Sequence, residues 1–334
     1  TYTFTANGSA NASEDGGGAA VKVTTGAATL EWTEQSFSPV RGYPSAVCFH
    51  ENRLVFGGTA SQPDGIWLSK TSEYWNFDVG DADDTDSIQL VAATGEVNSI
   101  RHLVSNRDLQ IFTTSAELFV PTYLNNAITP LNAQIRRQTP YGSSWVQPQS
   151  LDGATVFVQK NGAIVREYLF SDSEDAYVST SISSISSHLI KAPIEQSVLR
   201  GAISQNESYV FLINNDGTIA VFNSNRAEKR AGWVEFTTRG SFKSVCVVDD
   251  KVFCNIVIDT GAGTQKYILC EFKMINNLDV SKTYTGSAGV FDVSDDYANG
   301  STVSVISDSN YYGDIVVASG NVDVSAIETI TSAE

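Results

Sequence analysis

Residues that could do chemistry are thinly spread in this chain, and they are densest in the acidic loop DVGDADDTDS at 78–87. A calcium ion takes about six to eight oxygen ligands, which carboxylates at alternate loop positions can supply. Asp81, Asp83, Asp84 and Asp86 have the right chemistry. The EF-hand pattern nevertheless fails, because no Gly stands at its sixth position and no Glu at its twelfth. The loop reads as a solvated connection, a weak cation site or part of an interface. His50, His102 and His188 stand singly, without an HExxH pair or a GxSxG elbow, so structural or surface roles are expected for them. Glycoside hydrolysis needs two carboxylates about 5–9.5 Å apart. With 38 acidic residues some pair always meets that condition, so the sequence selects none. The Ser-x-Asp-x-Gly-x-x-Trp box of sialidase-type propellers is absent as well. No catalytic, metal or cofactor site is expected, and the chain is not read as an enzyme.

Other residue types carry bland and sharp readings side by side. Cys48, Cys246, Cys254 and Cys270 sit in the apolar runs AVCF, SVCVV, VFCNI and ILCEF, with no CxxC spacing. Free cysteine behaves as a small buried hydrophobe, so buried thiols are expected, with a disulfide or a metal as the lesser reading. Arg136 and Arg137 are adjacent in a chain of net charge −17. In a strand they would face opposite ways, serving an ion pair within the chain or a contact between subunits. Trp67, Tyr74, Trp75, Phe77 and Trp145 could line a sugar platform, but packing between sheets is the expected use of such area. The sequons at Asn7, Asn11, Asn206 and Asn299 would matter only in a secreted eukaryotic protein.

The elements that must position these residues are strands. Charged residues make up only 18% of the chain, while branched, aromatic and small residues are abundant, a mixture suited to pleated surfaces. Pairs of apolar runs around polar turns recur at 45–58, 99–114, 150–170, 203–223 and 244–258. In the third, Lys160-Asn161-Gly162 predicts a hairpin, since Asn-Gly supplies the positive φ angles of a tight turn; Asn215-Asp216-Gly217 does so in the fourth. A spacing of about 50 residues is the scale of propeller blades. The sequence therefore predicts an all-β fold, a β-propeller of about five or six blades over 41–275, with a β-sandwich as the alternative. Residues 276–334 are rich in Ser, Gly and Asp and are expected to form a small accessory β-domain. Residues 1–40 are expected to continue from, or pair with, such a domain. The start at Thr1 and the single Met274 read as a fragment or a processed segment. Helix is scarce, with 181–193 the best candidate for a short amphipathic turn ended by Pro193.

Charge narrows the partners. Binding nucleic-acid phosphates requires clustered Lys and Arg, whereas the densest basic group here, Arg226, Lys229 and Arg230, is interrupted by Glu228. Tight DNA binding is disfavoured, while an acidic wall past which DNA slides would resist sticking by like-charge repulsion. No apolar run approaches the roughly 20 residues needed to cross a bilayer, so no membrane insertion is expected.

Several phrases add a family resemblance. RGYPSAVCFHENRLVFGGT followed by IWLSKTSEYWNF, then DDTDSIQL, VNSIRHLV, IFTTSAELFV, IRRQTPYGSS and VFVQKNGAIVREYLF, resemble in type and order the tail nozzle (tail tubular protein B) family of short-tailed bacteriophages. They cover 41–170 densely and 171–272 thinly. The resemblance implies a structural virion protein, assembled in the bacterial cytoplasm and carried in the phage tail. It implies a ring of about six copies, forming a tube below the portal and adaptor, with tail fibres outside and DNA passing within. Arg136 and Arg137 are the expected subunit contacts, and Asp81, Asp83, Asp84 and Asp86 the expected lumen-facing acids. A glycan- or receptor-binding propeller of a phage tail is the alternative, and a glycan-degrading tail enzyme a third class.

Overall fold

The computed structural model of the chain describes residues 10–12, 21–23, 36–92, 98–122, 127–201, 207–225, 228–259, 265–273, 279, 281–307, 310–327 and 331–333. Asn7, Asn206, Arg226, Met274 and most of 1–40 lie outside them. The all-β class holds: among the described residues there is no α-helix, and the segment expected to hold a helical turn contributes one 3₁₀ turn, Ser187–Leu189. No helix there is long and apolar enough to cross a membrane.

The strands form antiparallel sheets, most of them in simple up-and-down order. A two-stranded pair joins β1 (Ala10–Ala12) and β2 (Val21–Val23). The first four-stranded sheet runs β3 (Ala46–His50), β4 (Arg53–Gly57), β5 (Gly65–Leu68), β6 (Ile88–Val91). The second runs β7 (Ile100–Ser105), β8 (Leu109–Thr113), β9 (Glu117–Val120), β10 (Arg136–Thr139). The third is β11 (Gln149–Leu151), β12 (Ala154–Val158), β13 (Val165–Ser171), β14 (Ala176–Ser181). The fourth is β15 (Glu195–Leu199), β16 (Ser208–Ile213), β17 (Ile219–Asn225), β18 (Arg230–Phe236). A three-stranded sheet follows, β19 (Ser241–Val248), β20 (Lys251–Asp259), β21 (Gln265–Phe272).

Turn chemistry fixes the registers. In three sheets the first hairpin closes with two residues at positive φ, the twist-matched arrangement for a two-residue loop. These are Glu51 (44°) and Asn52 (59°), Asp152 (48°) and Gly153 (81°), and Asp249 (48°) and Asp250 (61°). The expected turns at Gly162 and Gly217 are present, at φ 68° and 86°. Second strands such as Leu109–Thr113 and Ala154–Val158 are buried at every position. Both faces are covered, so they are mainly apolar without strict alternation, with Gln110, Thr113 and Thr155 buried among the apolar residues. Two of the last strands carry charge: β10 is RRQT and β18 is RAGWVEF, both largely exposed, which suits an edge that must not pair promiscuously.

The chain divides into two compact units, 1–148 with 168–179, and 149–167 with 180–334. The first has a core of Val55, Ile66, Leu68, Ile100, Leu109, Ile111, Leu118 and their neighbours. Fully burying one such side chain contributes about 1.5–3 kcal/mol. Among the described residues the second includes a core around Phe211, Ile213, Val221, Phe242 and Cys254 and another around Phe291, Val305, Val317, Val322 and Val324. The latter belongs to the C-terminal sheets: β22 (Tyr284–Thr285) with β27 (Ser332–Ala333), β23 (Val290–Asp292) with β26 (Asn321–Asp323), and β24 (Thr302–Ser307) with β25 (Asn310–Val316). β23 and β26 each end in the same turn: Ser294 and Ser325 donate backbone N–H and hydroxyl to Asp292 and Asp323.

The cysteines are less uniformly buried than expected. Cys254 is buried, Cys48 and Cys270 are half-buried, and Cys246 is exposed. Strand alternation is the reason, since Cys246 pairs with Phe253 while its neighbour Val245 faces the core opposite Cys254.

Candidate functional site

The acidic loop is built from the first sheet. It runs from the end of an aromatic stretch to β6, and it is held from below by Arg53, the first residue of β4. Arg53 is 2% exposed. Its Nη1 donates to the carbonyls of Ser69 and Asp86, both at 2.6 Å, and its Nη2 donates to the carbonyl of Asp84 at 2.8 Å. A buried guanidinium is costly unless its donors are satisfied. Here three backbone oxygens satisfy it, and the same bonds fix the loop's path. Burial pulls the Arg53 pKa down, though Glu51 and Asp86 nearby favour its charge.

The four loop carboxylates expected to act together, Asp81, Asp83, Asp84 and Asp86, separate into two kinds. Asp81, Asp83 and Asp84 are exposed. Asp86 is 7% exposed, pairs with Lys70 Nζ at 2.9 Å, and accepts the backbone N–H of Asp83 at 3.0 Å. The Lys70 hydrogen bond and then that N–H hold its carboxyl below the usual range. Gly80 turns above it at φ 52°, where a Cβ would collide with the Asp86 carboxylate. Asp86 is therefore the loop's internal pin, and the other three present charge outward. Among the described residues no group of three or more His, Cys, Asp or Glu is arranged to hold a metal ion.

Aromatic residues flank this loop in two states. Trp67 is buried, and Phe37 packs edge-on against Trp67, Phe56 and Phe77, with Phe56 stacked on Phe77 at 5.4 Å. Core packing describes these. Trp75 is 88% exposed, and Tyr74, also exposed, meets exposed Phe49 at 5.2 Å. The expectation of core packing fails for Tyr74 and Trp75, because the irregular segment after β5 carries them out past the sheet.

Arg136 and Arg137 lie on β10, the last strand of the second sheet, opposite Phe119 and Leu118, and both side chains are exposed. A register shift between Arg137 and Thr139 interrupts the strand. Beyond it the phrase is anchored inward: the Thr139 hydroxyl bonds the carboxylate of fully buried Glu117, and Ser143 N–H donates to the Thr113 carbonyl at 2.8 Å. Gly142, at φ 70°, packs onto the Thr114 carbonyl, where no side chain fits.

The histidines are placed as structural groups. His102 is buried, with Nδ1 at 3.0 Å from Gln147 Oε1 and Nε2 at 3.1 Å from the Ser144 carbonyl; burial lowers its pKa. Beside it Arg101 stacks on Trp145 at 4.9 Å and donates to the Ser143 carbonyl. Trp145 is 65% exposed, so it too departs from the expected core role. His50 is buried with Nδ1 at 2.9 Å from Ser105 Oγ, and burial lowers its pKa. His188 is exposed in the 3₁₀ turn.

Sequence reasoning missed Arg53, Lys70 and Glu117. The available signal was a charged residue at the edge of an otherwise apolar run, Arg53 before LVF and Glu117 before LFV, which in a buried strand demands a partner.

Comparison with known proteins bears on identity more than on chemistry. None of the curated proteins matches the chain. Among solved structures it is similar to a protein from Lactobacillus plantarum, at 10% identity and TM-score 0.41 over 69% of this chain and 70% of that one. It is also similar to dihydro-heme d1 dehydrogenase NirN in complex with DHE, at 13% identity and TM-score 0.42 over 82% of this chain, which spans only 57% of that one. A putative 6-phosphogluconolactonase from Bacteroides uniformis gives 10% identity and TM-score 0.41 over 69% and 71%. Likenesses this distant carry no argument. A family model for bacteriophage nozzle protein, by contrast, matches residues 40–326. That span takes in the acidic loop, the Arg136–Arg137 strand and most of the C-terminal sheets, well past the phrases legible by eye. The chain belongs to the bacteriophage nozzle protein family.

Proposed function

We propose that copies of this chain close into a ring of about six, forming the tube through which DNA leaves the virion. Family membership makes it a structural protein of the phage tail, and the tube is the mechanical reading of that role. In this reading the portal or adaptor docks at one end, tail fibres attach outside, and the sheets, as about five or six propeller blades, supply the wall. The protein does no covalent chemistry and needs no cofactor. Assembly takes place in the bacterial cytoplasm.

The observation that carries the proposal is the match of the nozzle family over 40–326. The site adds support of its own. Asp81, Asp83 and Asp84 are exposed on a loop whose backbone is fixed by Arg53, so their charge is presented at set positions. Facing the lumen, such a row repels phosphates and keeps DNA moving. Arg136 and Arg137, exposed on an edge strand of an acidic protein, suit a contact with the neighbouring copy. Light scattering with negative-stain imaging of the purified chain tests the ring. A closed ring with a central hole is the expected result; a monomer that stays monomeric with the adaptor protein present overturns it.

Exposed Trp75, beside the Tyr74–Phe49 pair, favours a second reading, a glycan- or receptor-binding surface on the tail. Saturable binding of host polysaccharide, lost in Trp75→Ala, would support it.

A further inference from the structure

Cys254 on β20 and Cys270 on β21 stand directly opposite each other in antiparallel register. Side chains so paired share a face, with Cβ atoms about 4.5–5.5 Å apart, so a small closing movement of the strands brings them into the roughly 3.5–4.5 Å of a disulfide. Their Cα atoms are then about 4.5–5.5 Å apart, inside the roughly 4.4–6.8 Å that a disulfide spans. Both line one cavity of about 940 Å³ in the second unit, which gives small molecules a path to them. Both are thiols in this structure, Cys254 only 1% exposed and Cys270 half-buried. Cys246 does not compete for Cys254, because it pairs with Phe253 and points from the other face.

The place of the pair gives a bond there a consequence. Among the described residues β21 is the last strand of a sheet of three strands, where each of the four preceding sheets has four. It exposes Tyr267 and Leu269. A cross-link between its middle and β20 would hold the least covered strand of that sheet.

We propose that Cys254 and Cys270 are an oxidation site, forming a cross-strand disulfide with a small-molecule disulfide as the oxidant. Cys270, the more exposed, loses its proton and its sulfur attacks one sulfur of the oxidant, expelling one small thiolate. The Cys254 thiolate then attacks Cys270 in the mixed disulfide and expels the second. Two protein thiols and one small disulfide become one protein disulfide and two small thiols. Both thiols resist ionisation: burial, more than the charges of Cys270, Cys246 and Glu195 around it, pushes Cys254 up to about 12. Burial, then Asp279, raises Cys270. The pair accordingly stays reduced during brief exposure and oxidises slowly. The setting for this change, a tail built in a reducing cell and then released, rests on the nozzle reading; the chemistry does not.

The test uses the full chain, incubated natively with oxidised glutathione, then acid-quenched, denatured, alkylated and mapped by peptide mass. The expected product links the peptides of Cys254 and Cys270, is reversed by dithiothreitol, and still forms in Cys246→Ser. Its rate rises about tenfold from pH 7 to pH 8, because thiolate is the attacking form. The melting temperature rises by about 5 °C on oxidation, and Cys270→Ala, otherwise folded, loses that rise. Full alkylation of both cysteines after oxidation, a link to Cys246, or a glutathione cap that persists on Cys270 overturns the proposal. Because the bond is read on the isolated chain, its failure leaves the nozzle reading untouched, and absence of a ring leaves the bond untouched.

Discussion

Asp86 in the first sheet and Asp296 beside the C-terminal sheets are both held by cations, and the two arrangements differ in kind. Asp86 is buried beneath its loop, paired with Lys70, with Arg53 bonding the backbone around it. Asp296 accepts Lys266 Nζ at 2.6 Å, Lys282 Nζ at 2.5 Å and the Tyr284 hydroxyl at 2.6 Å; Lys282 is largely open to solvent and Lys266 is partly so. Lys266 belongs to β21, so this cluster ties the three-stranded sheet to the C-terminal sheets. A guanidinium bonding carbonyls fixes shape, and neither salt nor mild acid removes it. Exposed ammonium groups on a carboxylate make a tether that solvent weakens.

The largest expected effect comes from breaking the buried side. Arg53→Met leaves three carbonyls without donors and should cost on the order of 3 kcal/mol, measured by urea denaturation. Limited proteolysis should then cut within 78–86. Arg53→Lys should recover only part of this, since one ammonium cannot span the three acceptors. Next comes Gly80→Ala, where the positive φ and the overlap with Asp86 should together cost about 1–2 kcal/mol. An unchanged urea midpoint would mean that the loop path is not set as described.

The exposed side should give less. Asp296→Asn should lower stability by no more than about 1 kcal/mol, and the difference should shrink in high salt. Its pH dependence has a definite sign. The bonds to Lys266, Lys282 and Tyr284 outweigh burial and hold the Asp296 carboxyl below its ordinary 3.8. Its contribution is therefore complete above that value and is lost as pH falls below it through the lower folded pKa. Melts of the native chain and the variant should differ most at pH 7, and the gap should narrow at pH 3 without closing, because the folded carboxyl is still largely ionised there. The smallest effect is reserved for the presented acids. Asp83→Asn with Asp84→Asn should move stability by less than about 0.5 kcal/mol, yet it should strengthen low-salt retention of duplex DNA by assembled rings.

The strands and turns of this fold were legible because their signals are local. Asn161-Gly162 and Asn215-Asp216-Gly217 announce their hairpins through φ alone, and buried second strands announce themselves as mainly apolar runs. The site was half legible. The acidity of 78–87 is plain in the sequence, but nothing there separates Asp86 from Asp81, Asp83 and Asp84, since what distinguishes it is Lys70 and a turn at Gly80. Arg53 was legible only as a charge before LVF that demands a partner; its partners are backbone carbonyls, which every residue has, so no side-chain pattern marks them. Trp75 and Trp145 misled because an aromatic residue's type records its area and not which way an irregular segment carries it.

The neighbour-to-neighbour order of the strands also sets a schedule for folding. Within each of the first five larger sheets every pairing joins strands adjacent in sequence, so short loops close early and each sheet can form as its last strand leaves the ribosome. The C-terminal sheets differ: Val290–Asp292 pairs with Asn321–Asp323, and Tyr284–Thr285 pairs with Ser332–Ala333, which waits for nearly the last residue of this chain. Pulse-labelled hydrogen exchange should find the amides of that pair among the last to be protected. A stalled chain lacking its final residues would then carry finished sheets and an unclosed C-terminal core, a state that quality-control proteases can recognise before it enters a particle.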